Sequence, residues 1–105
     1  MEQFLHKNRL RNKRGPLINF FDLPTEKQEI FIKIKAFLIE YFGKELDVYV
    51  WGSYKHGYWD ELSDYDVITY EMGNAREIDS LIFEKLNLKV NVNCITKKFG
   101  IVLIP

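Results

Sequence analysis

The apolar residues of this chain change period along its length, and that change confines it to a mixed α/β architecture. Thr25-Glu26-Lys27-Gln28, directly after Pro24, has the pattern of a helix capping box, and Gly43 stands where such a helix would stop. Between them Ile30, Phe31, Ile34, Phe37, Leu38, Tyr41 and Phe42 recur at helical spacing, with Ile32 and Ile39 on the opposite face. A helix that is apolar on two sides is either sandwiched within the fold or covered by a second chain. Asp47–Trp51 and Tyr65–Tyr70 are rich in β-branched and aromatic residues and read as strands. Asn74 followed by Glu77 offers a cap for a second amphipathic helix built on Ile78, Leu81, Ile82 and Leu86. Leu88–Ile95 alternates apolar and polar side chains, the period of a half-buried strand, and Ile101–Ile104 is a short apolar run suited to a terminal strand. The order predicts an α/β (α+β) domain with a small mixed sheet of three or four strands flanked by helices.

A chain of 105 residues holds one such domain, able to bury roughly 60–70% of its surface. Apolar residues make up 47% of it, enough for a packed core rather than a disordered tail. Fifteen Lys and Arg balance fifteen Asp and Glu, so binding to nucleic acid or an anionic membrane would have to be local. Residues 1–14 carry five basic side chains against Glu2, a net +4, and Gly15-Pro16 separates them from the rest of the chain. The organisation expected is a basic N-terminal arm over residues 1–21 and a single domain over residues 22–105. The arm reads as a solvated leader or as a phosphate- or partner-binding segment. Cys94 is the sole cysteine, which excludes an intrachain disulfide and a cysteine-rich zinc site. No apolar run approaches the ~20 residues that span a bilayer, and the N-terminus lacks the apolar core of a secretory signal. A soluble cytoplasmic protein with no membrane partner is expected.

The chemistry concentrates between the first two strands, in V50-W51-G52-S53-Y54-K55-H56-G57-Y58-W59-D60-E61-L62-S63-D64-Y65-D66-V67. Gly52 and Ser53 leave a strand at a sharp turn, where bare backbone N–H groups and a hydroxyl can cradle phosphate. Asp64 and Asp66 are two apart at the start of a strand and share a face, so their charges repel unless a cation lies between them. Oxygen-only ligands select a hard ion, and Mg²⁺ shared with substrate phosphates fits best. If the two strands pair, cradle and carboxylates adjoin. There is neither a Walker-type G-x-x-x-x-G-K-S/T loop nor a G-x-G-x-x-G turn.

This run resembles the DNA polymerase beta-like nucleotidyltransferase superfamily, and within it the minimal nucleotidyltransferases: Gly52-Ser53, ten residues, then Asp64-Tyr65-Asp66. Gly57 and Ser63 match the finer family pattern, and six specified residues at fixed spacing coincide by chance on the order of once in 10⁷ windows. The resemblance covers residues 25–96 and implies a nucleotidyltransferase-type fold. It also implies Gly52, Ser53 and Ser63 as nucleotide contacts and Asp64 and Asp66 as ligands to two Mg²⁺ ions. Transfer of a nucleoside monophosphate from a nucleoside triphosphate to an acceptor hydroxyl is the implied reaction. Active members of the family usually carry a third carboxylate on the following strand. Here Asn93 stands at that place, with Asn91 as the other candidate, and Leu88–Thr96 contains no acid. An amide oxygen can ligate Mg²⁺ but cannot act as a base. The alternative is therefore a non-catalytic binding or structural module of the same fold, antitoxin-like or phage-encoded. Implied partners are a toxin-like helical protein or a second copy of this chain, with nucleic acid at the basic arm a lesser option.

Overall fold

The computed structural model describes residues 14–98 and 100–105. Residues 1–13, which hold most of the basic arm, lie outside the described residues. After a single 3₁₀ turn at Phe20–Asp22 come α1 (Thr25–Phe42), β1 (Val48–Trp51), α2 (Gly52–His56), β2 (Tyr65–Thr69), α3 (Ala75–Leu86), β3 (Val90–Cys94) and β4 (Val102–Leu103). The α+β domain with a small mixed sheet read from the sequence is the architecture found: the four strands lie in the order β3-β2-β1-β4. β1 runs antiparallel to β2 and to β4, whereas β2 and β3 are parallel. A parallel pair requires a crossover, and α3 supplies it.

Strand alternation divides the sheet into two dissimilar faces. Val48, Val50, Val67, Val90, Val92 and Val102 point to one side, where they pack with Phe31, Ile34 and Leu38 of α1 and Ile78 and Ile82 of α3 in a single core. Tyr49, Trp51, Asp66, Ile68, Asn91 and Asn93 occupy the other face, aligned by the pairs Tyr49↔Ile68, Trp51↔Asp66, Asp66↔Asn91 and Ile68↔Asn93. Both long helices lie under the valine face, so the polar residues of β2 and β3 are left on the side without them.

The helix ends follow local chemistry, with one correction. Gly43 closes α1 in the left-handed conformation, its N–H donating to Ile39 O at 2.9 Å. Asn74 caps α3 by accepting from Glu77 N at 3.2 Å. The expected capping box at Thr25 does not form. Pro24 takes the cap position with no side-chain bond, and it has no N–H for Gln28 to accept from. The Gln28 amide instead donates to Phe21 O and Leu23 O, at 3.1 and 2.7 Å. Ile32, on the second apolar side of α1, is 43% exposed, so the described residues do not sandwich that helix. No helix among the described residues is long and apolar enough to cross a membrane.

Candidate functional site

Trp51 ends β1 directly opposite Asp66, and the chain then turns into α2 at Gly52. Gly52 adopts φ +64°, and a Cβ there would collide with Asp66 Oδ2 and lie 2.8 Å from Asp66 Cβ. The glycine therefore serves two ends: it permits the turn, and its bare Cα lets the carboxylate sit against the backbone. Ser53 follows on the same turn, half-buried. Sequence reasoning expected the Gly-Ser turn and the Asp pair to adjoin if the strands paired, and for Gly52 and Asp66 they do.

Asp64 lies just before β2, exposed, while Asp66 is half-buried. Burial holds the Asp66 carboxyl above the usual carboxylate range; the Asn91 amide pulls it back and the Asp64 charge pushes it further up. Asn91 Nδ2 also donates to Asp64 Oδ2 at 3.3 Å. The Asn91 amide thus lies beside both aspartates, bonded to Asp64 and, through the parallel pairing of β2 with β3, directly opposite Asp66. Asn93, expected as the third metal ligand, is differently engaged: its amide donates to Val67 O at 3.0 Å and to Asn91 O at 3.4 Å. The residue beside the aspartates is Asn91, because register rather than motif spacing decides which residue of β3 lies next to Asp66. Ser63 is also used locally. Its hydroxyl accepts from Asp60 N at 2.9 Å and lies 3.3 Å from Asp60 Oδ1, closing the turn that leads into β2.

The aromatic residues near this turn sort by face. Tyr54 stacks between Trp59 (4.9 Å) and Tyr65 (5.1 Å), with Phe31 edge-on at 5.3 Å, so Tyr54 and Trp59 belong to the core rather than to a base-binding surface. Trp51 is the aromatic that sequence reasoning missed. Strand parity places it beside Asp66, its ring 5.1 Å from that of His56. The alternation of Val48-Tyr49-Val50-Trp51 carried that signal once β1 and β2 were paired.

The donor set suits a hard cation only in part. No group of three or more His, Cys, Asp or Glu side chains close enough to hold a metal occurs among the described residues. Two carboxylates and the Asn91 amide, which can turn its oxygen inward, fit an ion that keeps water and takes further ligands from phosphate, as Mg²⁺ does. They do not form a closed cage.

The raised Asp66 carboxyl has a consequence for folding. The folded chain holds this proton at pH values where the unfolded chain, near the ordinary 3.8, has lost it. Its stabilising contribution is complete below that value and is lost as pH rises through the raised folded one. Asp66→Asn should therefore raise the neutral-pH melting temperature in the absence of divalent cations and flatten the slope of stability with pH above 3.8. An unchanged slope in urea unfolding at pH 4 to 7 would remove Asp66 as its source.

Comparison with family models, with curated proteins and with solved structures finds no match to this chain.

Proposed function

We propose that this chain is a minimal nucleotidyltransferase-like protein of the DNA polymerase beta-like superfamily, moving a nucleoside monophosphate from a nucleoside triphosphate to an acceptor hydroxyl. The observation that carries the reading is the seat of the Asp66 carboxylate against Gly52, which joins a phosphate-type turn to an acidic pair. In this reading the Gly52 backbone and the Ser53 hydroxyl hold the β- and γ-phosphates. Asp64, Asp66 and the Asn91 oxygen hold Mg²⁺, which when bound neutralises charge on the phosphates. The acceptor oxygen attacks the α-phosphorus, the bond to the bridging oxygen breaks, and pyrophosphate leaves. β3 offers no carboxylate to take the acceptor's proton, so the proton passes to water or a phosphate oxygen. A cytoplasmic setting suits this chemistry, and the acceptor is a small molecule, a nucleic-acid end or a toxin-like helical protein, with a partner or a second copy completing the site.

Asn91 favours a second reading, a non-catalytic module that binds nucleotide or partner without turnover, since an amide stands where a base would serve. Calorimetry with each nucleoside triphosphate, with and without Mg²⁺, tests the first reading. Mg²⁺-dependent binding is expected, and its absence for all of them would refute nucleotide binding. Pyrophosphate release with candidate acceptors separates the transferase from the module.

Asn91→Asp would put a third carboxylate beside Asp64 and Asp66. Three like charges within a few ångströms should lower stability by ~1–4 kcal/mol without metal, and Mg²⁺ should more than restore it. Thermal unfolding with and without Mg²⁺ reads this directly, and a variant no more responsive to the ion than the parent chain would count against the site.

A further inference from the structure

We propose that Arg14–Leu17 is a positioning strap for the Gly52–Ser53 turn, acting through the far end of α2. Its effect on nucleotide binding rests on the function proposed above; its effect on the turn does not. α2 has five residues, too few to persist alone, and its last carbonyls lack partners within the helix. The strap supplies them: Leu17 N donates to Lys55 O and Arg14 N to Gly57 O, both at 2.7 Å. The Arg14 guanidinium donates to Trp59 O at 2.5 Å and lies 3.9 Å over the Trp59 ring. Gly57 makes the approach possible, since a Cβ there would collide with Gly15 O.

The strap is not packed flat on the body. A cavity of about 540 Å³ lies between it and Asp22–Pro24, with Tyr54 and Trp59 also in its wall. Its hold therefore comes largely from these polar contacts at the end of α2, with Leu17 half-buried against the core. A one-turn helix transmits that hold over its whole length. When the strap loosens, the last carbonyls of α2 lose their partners while the Tyr54 ring stays in the core, and the turn loses its setting against Asp66 without any change to the residues that would touch phosphate.

Amide hydrogen exchange on the full-length chain, with Arg14→Ala and with Leu17→Pro (which deletes the donor to Lys55 O), is the test. Expected is a loss of protection of about tenfold or more at amides 53–58 while those of β1 and β2 hold. Mg²⁺–ATP affinity should fall at least about fivefold in the same variants, and Arg14→Lys, which keeps the charge but not the planar contact, should fall between. Unchanged exchange at 53–58 in both variants overturns the strap, as does an equal loss across the β1 and β2 amides. Local loosening with unaltered ATP affinity overturns its positioning role. An unaltered chain that binds no Mg²⁺–ATP overturns the nucleotidyltransferase reading instead, and the exchange result then decides the strap by itself.

Discussion

Gly52→Ala should be among the most damaging single substitutions in this chain, lowering stability by about 3 kcal/mol or more and abolishing any Mg²⁺-dependent nucleotide binding. Two causes combine. A side chain at φ +64° costs ~1–2 kcal/mol. The new methyl would also collide with Asp66 Oδ2 and, more seriously, meet Asp66 Cβ at 2.8 Å. Rotating the carboxylate away does not relieve the second contact, so the β1–α2 junction has to shift from β2. Gly43→Ala is the matched control: its φ is +70°, but a Cβ there has nothing within 4 Å. It should lose only about 1–2 kcal/mol in urea unfolding. Similar losses in the two variants would show that the contact with Asp66 does not govern the junction.

The second large effect is expected from Asp64→Ala combined with Asp66→Ala. Nucleotide affinity in Mg²⁺ should fall at least about 100-fold, and any turnover by ~10²–10⁴. Stability without Mg²⁺ should hold or rise, because a half-buried carboxyl whose charge is disfavoured and its like-charged neighbour are both removed. That opposite movement separates loss of a site from loss of a fold, since a chain that merely unfolded would lose both together. Binding that survives the double substitution would place the phosphates elsewhere.

The elements of this fold were legible wherever a local pattern decided them. The valine alternation of β1 and β3, the Asn74 cap and the Gly43 stop each depend on neighbours a few residues away. The capping box at Thr25 failed because Pro24 shifted the helix start by one position, a competition between two local signals. In the candidate site, Gly52, Asp64 and Asp66 were legible from spacing. Asn91 over Asn93 was not, because the choice follows from which residues of β2 and β3 align across a crossover. Gly57 shows the same limit. Its spacing from Gly52 is visible in the sequence, whereas its role in admitting Gly15 depends on a contact 42 positions away along the chain.

Asp66, Asn91 and Asn93 alternate with Val67, Val90 and Val92 on the same two strands, so the candidate site and the packed core share a backbone but no side chain. Exchanges on the polar side, acid for amide or amide for acid, leave the apolar interior untouched. Side chains at the candidate site can therefore change one at a time while the fold that carries them stays intact.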